Sequence, residues 1–301
     1  MRADPPNAPL HERDVDLRLL VARKGKQRVS VCLPARNEAT TVGPIVAAIR
    51  ADLMERVPLV DEVLVIDDHS NDGTAAVAAA AGARVVQAAG VLSSFGEGHG
   101  KGAALWKSLY EAEGDLVVWC DSDIVDFDSR FVSGLLVPLL TQPTVGFVKG
   151  YYQRPASGDE RGGRVTELVA RPLLSMLFPL LATIVQPLSG EYAGRRSLLE
   201  QLPFVEGYGV DVGLVLDVVS MYGTDALAQV DLGTRVHRNR TLDELSPQAT
   251  AVLQTVLHRA GLGERIGAVT QLLRPGVDQV AVHHVERPPL VTVPGYLLRS
   301  A

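Results

Sequence analysis

Two carboxylates one residue apart, Asp121 and Asp123, close the apolar run Leu116-Val117-Val118-Trp119-Cys120. That run reads as a strand buried on both faces. The pair therefore stands at the carboxyl end of a strand, where open α/β sheets bind their ligands. Two hard oxygen ligands there suit Mg²⁺ or Mn²⁺ carrying a diphosphate. An isolated Asp-x-Asp is more often a turn, so its neighbours matter. Just upstream, Gly100-Lys101-Gly102 opens a helix. Lys101 is a point charge at a position where backbone N–H groups already favour anions, so a pyrophosphate would sit between Lys101 and a metal. Asp67-Asp68 ends another apolar run, and Asp68 is placed to accept hydrogen bonds from a base N–H or a ribose hydroxyl. Pro34-Ala35-Arg36-Asn37-Glu38 follows a third.

Bringing these groups together requires strands that end on one edge. The apolar patterning predicts strands at 28–34, 61–67, 84–87, 115–120 and 146–152, with helices at 40–53, 74–81, 103–111 and 130–140 between them. Strands and helices alternating at this spacing argue a mainly parallel sheet with helices on both faces. Gly82 falls where a helix would end on a left-handed glycine. The glycines of 96–102 match neither a P-loop nor the dinucleotide fingerprint, which belongs after the first strand. Further on, 165–185 is apolar nearly all round and reads as a helix broken at Pro179, buried or at a subunit contact. A strand at 191–195, a helix at 210–222, a strand at 227–236 ending in a basic cluster at 235–240, and a helix at 246–260 follow.

The 301 residues carry a net charge of −6, which leaves no nucleic-acid footprint. Cys32 and Cys120 lie in strand patterns and read as buried free thiols of a reducing compartment. Residues 1–26 lack the apolar core of a signal peptide and read as a mobile tail. The longest uncharged run, Pro172 to Gly190, is broken by proline, so no stable membrane insertion is expected. A soluble cytoplasmic enzyme is the expectation.

Pro34–Glu38, Asp67-Asp68-His69-Ser70-Asn71-Asp72-Gly73-Thr74, Gly100-Lys101-Gly102-Ala103 and Asp121-Ser122-Asp123 resemble the motifs of the nucleotide-diphospho-sugar transferase (GT-A) fold. The segments 162–174, 186–193, 207–211 and 237–240 resemble the actinobacterial glucosyl-3-phosphoglycerate synthases, retaining enzymes of glycosyltransferase family 81. The resemblance spans 28–245. It implies an α/β GT-A fold with a nucleotide-sugar half at 27–153, an acceptor half at 154–245 and a C-terminal extension at 246–301. It implies transfer of glucose from UDP-glucose to the 2-hydroxyl of 3-phosphoglycerate with retention, assisted by Mg²⁺ or Mn²⁺.

The residue roles it implies are these. Asp121, Asp123 and His237 hold the metal. Pro34, Ala35, Arg36, Glu38, Asp68, Ser70, Lys101, Asp121, Ser122 and Tyr208 line the donor. Gly163, Arg164, Thr166 and Asn239 hold the acceptor. Asp211, Lys101 and the Leu188 backbone carbonyl face the reacting centre. The chemistry of the acceptor segment agrees: Gly162-Gly163 lets backbone approach an anion, Arg164 adds a forked donor, and Thr166 lies in a first helical turn. Two departures stand out, Asp211 where the family carries Glu, and the composition of 67–71. The competing readings are an inverting transferase with a polyprenyl-phosphate acceptor and a nucleotide-sugar-binding module without turnover. A homodimer is expected from the apolar 165–185 segment and the extension.

Overall fold

The computed structural model describes residues 10–11, 16–153, 163–235, 241–266, 271–282 and 284–299. Its strands are β1 (Leu10–His11), β2 (Val29–Ala35), β3 (Glu62–Asp67), β4 (Arg84–Gln87), β5 (Leu116–Trp119), β6 (Phe147–Gln153), β7 (Tyr192–Arg195), β8 (Phe204–Val205), β9 (Leu227–Thr234), β10 (Gln271–Arg274), β11 (Val277–Ala281) and β12 (Glu286–Arg287). Eight of them form one sheet in the order β1-β9-β6-β7-β5-β2-β3-β4. The pairs β5–β2, β2–β3, β3–β4 and β6–β9 are parallel, while β7 runs antiparallel to both β5 and β6. This is the mainly parallel architecture that the patterning predicts.

The continuous apolar runs have the cause inferred for them: both faces of the sheet are covered. Cys32, Leu64, Ile66, Val117, Trp119 and Phe147 belong to one core, and Val31, Leu33, Val63, Val65, Val118 and Val148 to the other. Alternate side chains of each strand thus enter opposite cores. The helices that cover them are α1 (Leu17–Lys24), α2 (Val42–Arg50, continued by a wider turn at Ala51–Glu55), α3 (Thr74–Ala80), α4 (Gly100–Glu111), α5 (Arg130–Thr141), α6 (Arg171–Leu177), α7 (Arg196–Leu199), α8 (Val210–Tyr222) and α9 (Leu242–Arg259). Gly82 has φ +96°, the left-handed residue that closes α3.

Three regions differ from the expectation. Within the supposed mobile tail, residues 17–24 form α1, capped by the Asp16 carboxylate, which accepts from the Arg18 and Leu19 amides. Leu20 is buried, and Lys24 pairs with Asp61 at 2.7 Å. The charges that suggested a tail are therefore a cap and an anchor. The 165–185 segment breaks at Pro179 but is helical over less of its length than expected: a wide turn at Thr166–Ala170 runs into α6, and a 3₁₀ turn at Pro179–Leu181 follows. Pro179, which lacks an N–H, begins that separate turn. The C-terminal residues are built into the main body. The β12 strand pairs with β8, Trp106 Nε1 donates to the Pro288 carbonyl at 2.8 Å, and Leu290, Val293 and Tyr296 join the core.

Candidate active site at the carboxyl edge of the sheet

Three adjacent strands, β5, β2 and β3, deliver the three motifs to one edge. Their loops are tied to one another. The Asn37 amide donates to Ser70 Oγ (2.9 Å), the Glu38 amide to Thr74 Oγ1 (2.8 Å), and Ala39 to Asp72 (3.1 Å). Ser122 Oγ donates to the Pro34 carbonyl (2.7 Å), and Thr41 Oγ1 to the Ser122 carbonyl (2.6 Å). Asn37 and His69, one in each of the β2 and β3 loops, adopt φ of +58° and +63°. Such left-handed residues cluster at functional loops because the surroundings must hold them there.

The adjacent aspartates of β3 divide their work. Asp67 accepts from the Ser70 amide (3.1 Å) and Gln87 Nε2 (3.0 Å), which shapes the turn. Asp68 accepts from the Gly100 amide at 3.0 Å, joining the β3 loop to the start of α4. The Gly-Lys-Gly spacing has a packing cause as well as an electrostatic one. A Cβ on Gly102 would lie 1.8 Å from the Val205 carbonyl oxygen, and one on Gly100 3.2 Å from Gly207 Cα. Only glycine lets the start of α4 lie against 205–207, the turn that carries Tyr208.

Lys101 then projects into a dense charge cluster. Its Nζ lies 2.8 Å from Asp121 Oδ1 and 3.1 Å from Asp211 Oδ1, and the Tyr192 hydroxyl donates to Asp211 Oδ1 at 3.1 Å. Arg235, at the end of β9, lies 2.9 Å from Asp123 Oδ1 and 3.6 Å from Asp121 Oδ2, and it also pairs with Glu191. Gly190 makes room, since a Cβ there would fall 1.9 Å from Asp121 Oδ2. Beneath the cluster, the fully buried Lys149 donates to the carbonyls of Ser189 (2.8 Å) and Asp211 (3.2 Å), with its ammonium 4.2 Å from the Tyr192 ring centre.

The electrostatics follow from burial set against pairing. Burial works against the Lys101 charge, but Asp121 and Asp211 hold its pKa well above the lysine range. Burial alone dominates at Lys149 and pulls it down to about 8. Burial, then Asp211, pushes the Tyr192 hydroxyl well up, so it stays a hydrogen-bond donor. Burial raises Glu191 against the pull of Arg235, and burial with the nearby Asp123 raises Glu38.

Asp121 and Asp123 fit a hard divalent cation. They come from a single turn, offer oxygen only, and already share one guanidinium, so they stand close enough to share a metal. The third expected ligand, His237, and the acceptor residue Asn239 lie outside the described residues, as does Gly162. Of the acceptor segment, Arg164 is exposed at a helix start, Thr166 is buried two residues on, and the Gly163 carbonyl accepts from the Glu167 amide at 3.0 Å. Leu188 is half-buried, next to the Ser189 carbonyl that Lys149 clamps. Pro34 and Ala35 end β2, Arg36, Glu38, Ser70 and Ser122 lie in the tied loops, and Tyr208 is exposed beside the start of α4. Sequence reading assigned no role to Arg235, Glu191, Tyr192 or Lys149. For Lys149 the available signal was a charged residue inside a strand pattern, which marks a buried charge that needs a partner.

A family model described as glycosyl transferase family 2 matches residues 30–203. The glucosyl-3-phosphoglycerate synthase of Mycolicibacterium smegmatis is 46% identical over 91% of this chain and 92% of its own length. That of Petrotoga mobilis is 42% identical over 95% and 94%. The crystal structure of the Mycobacterium tuberculosis glucosyl-3-phosphoglycerate synthase with Mn²⁺, UDP-glucose and phosphoglyceric acid is similar with a TM-score of 0.88 at 42% identity, covering 96% of this chain and 99% of that one. The mannosyl-3-phosphoglycerate synthase of Rubrobacter xylanophilus is similar at 0.83 and 41% identity, covering 91% and 93%.

Proposed function

The chain belongs to the glucosyl-3-phosphoglycerate synthase family, and from that premise we propose that it transfers glucose from UDP-glucose to the 2-hydroxyl of 3-phosphoglycerate with retention. The observation that carries the reading is the cluster at the end of β5, where Lys101 bridges Asp121 and Asp211 while Arg235 bridges Asp121 and Asp123. Asp121 and Asp123, with His237, are the residues to hold Mg²⁺ or Mn²⁺. The metal, when bound, would neutralise the diphosphate and stabilise its departure. Lys101, kept protonated by its two carboxylates, supplies a second fixed charge for the leaving group. The Pro34–Glu38 and Asp68–Ser70 loops hold the base and ribose, and Tyr208 closes over the donor.

Retention calls for either a carboxylate nucleophile or attack on the same face as the leaving group. Asp211 is the candidate nucleophile, but its Oδ1 is engaged by both Lys101 and the Tyr192 hydroxyl. An oxygen neutralised in this way is a poor nucleophile, which favours same-face attack guided by the departing phosphate. Asp211 then positions Lys101. Lys149 fixes the Ser189 carbonyl and the start of α8, and so sets the Leu188 carbonyl and Asp211 relative to each other. Arg164, the Gly163 backbone, Thr166 and Asn239 take the acceptor phosphate.

The lipid-acceptor alternative has less support, since no described helix is long and apolar enough to cross a membrane. A cytoplasmic setting suits the two buried, unpaired thiols. Exposed Leu168, Met176 and Leu180 support pairing of two copies through 166–181. A mannose donor is the second reading, because a mannosyl enzyme shares the fold at similar identity. Turnover with 3-phosphoglycerate against UDP-glucose, GDP-glucose, ADP-glucose and GDP-mannose decides it. UDP-glucose should lead by more than tenfold in kcat/KM, about 1.4 kcal/mol of discrimination. A lead for any other donor rejects the assignment.

A further inference from the structure

A second group of ligating side chains lies at the same edge, apart from Asp121 and Asp123. Among the described residues, Asp68, His69 and His99 bring one ligand atom each to within 4.8 Å of one another. His69 Nδ1 and Asp68 Oδ1 are 2.8 Å apart, and the two imidazole centres are 5.3 Å apart. The group joins two separate elements: Asp68 and His69 follow β3, and His99 precedes α4. Asp68 is buried and oriented, because the Gly100 amide holds Oδ2 and leaves Oδ1 to the histidines. Backbone orientation of a ligating carboxylate is a recurrent feature of metal sites. His99 is exposed and flanked by Gly98 and Gly100 at φ +61° and +78°, so it can close the remaining distance by rotating its side chain.

We propose that Asp68, His69 and His99 form a binding site for a borderline divalent cation of the Zn²⁺ type. Two imidazoles and one carboxylate, with a fourth position open to solvent, are a Zn²⁺-type donor set, whereas Mg²⁺ and Mn²⁺ favour the more carboxylate-rich set built on Asp121 and Asp123. Tetrahedral bonds of about 2.0–2.1 Å place ligand atoms roughly 3.3 Å apart. The His69–Asp68 pair is near that spacing already, and the cation would replace the proton they share. Strand β2 separates β3 from β5, so the two sites are roughly 10 Å apart, about two strand spacings. The functional consequence rests on the donor reading above: a cation on Asp68 competes with the base and ribose, so Zn²⁺ opposes UDP-glucose while leaving the diphosphate metal in place.

The test is direct binding, so it stands whatever the donor proves to be. Zn²⁺ is titrated calorimetrically into the full-length protein at saturating Mg²⁺, and Co²⁺ is used in parallel as an absorbing probe. One equivalent should bind in the wild type and in Asp123→Ala. His99→Gln, on an exposed side chain, and His69→Gln should each weaken it at least tenfold. His284→Ala, which alters a second histidine pair among the described residues, stacked with His258, should not change it. The proposal is overturned if His99→Gln binds as the wild type does, if Asp123→Ala or His284→Ala abolishes binding, or if no Zn²⁺ binds above Mg²⁺. At the functional level, Zn²⁺ should raise the KM for UDP-glucose in the wild type and not in His99→Gln. Equal inhibition of both would remove the donor competition and leave the site to be judged on binding.

Discussion

Replacing Arg235 by Met should be the most damaging single change at the site that spares every expected ligand. Its side chain is 3% exposed and that of Glu191 0%, and the guanidinium spans Glu191, Asp121 and Asp123. The other Glu191 oxygen, Oε2, has no hydrogen-bond donor among the described residues, so the arginine is the main compensation for that charge. Removing one partner of a buried pair costs about 3–5 kcal/mol, because the other charge is left uncompensated. In a chain of this size that is a fall of roughly 5–8 °C in melting temperature. Removing both partners is milder, so Arg235→Met with Glu191→Gln should recover at least half of the loss, a coupling of roughly 2 kcal/mol.

The pH dependence of that loss follows from Glu191. Burial already raises its pKa above the unfolded value, and loss of Arg235 raises it further. A carboxyl with a raised folded pKa lends stability that is present below the unfolded pKa and lost as pH rises through the folded one. The defect of Arg235→Met should therefore shrink at acid pH and vanish when Glu191→Gln is added. Urea unfolding of the four proteins at two pH values is the assay. Strict additivity of the two substitutions, or a defect independent of pH, would refute the role given to this pair.

Arg164→Ala should lower kcat/KM for 3-phosphoglycerate roughly 30-fold, the worth of one charge-assisted hydrogen bond of about 2 kcal/mol. Calorimetric binding of UDP with Mg²⁺ should be unchanged; an equal loss of UDP binding rejects the acceptor role. Lys149, pulled from 10.5 to about 8, has released a proton in the fold that the unfolded chain keeps between those values, so its contribution makes stability rise with pH across that window. Lys149→Met should flatten the rise in thermal melts, and an unchanged slope contradicts the burial argument. Light scattering at micromolar concentration should give twice the 32.2 kDa chain mass, and Leu168→Asp with Met176→Asp should halve it; a wild-type monomer rejects the pairing.

The legible part of this protein is local. Apolar runs ending in Asp67-Asp68 and Asp121-Ser122-Asp123 announced strands, and a strand fixes which edge its last residue occupies. Gly82 announced the end of α3 because one left-handed residue suffices there. The hidden part depends on distant partners. Nothing in Tyr192–Arg195 says that it runs antiparallel between β5 and β6, since its pairing is settled by segments tens of residues away. Arg235 looked like the first residue of a basic cluster, and only the sheet order, which brings the end of β9 to the edge that holds the end of β5 and the start of β7, turns it into the counter-charge of three carboxylates. Residues 17–24 looked like tail because Asp16 acts through a cap and Lys24 through a pair with Asp61, far along the chain. Nothing in the residues around Pro288 says that its carbonyl satisfies Trp106.

The central claim is that this site moves a sugar from a nucleotide diphosphate to a phosphorylated hydroxy acid. The direct measurement is UDP release from UDP-glucose with Mn²⁺, in the presence of 3-phosphoglycerate, of glycerate, or of neither. Rapid release with 3-phosphoglycerate, accompanied by a glucosylated product, is predicted, with little release in the other two and none with excess chelator. Release at the same rate without 3-phosphoglycerate, or no release in any arm, would contradict it.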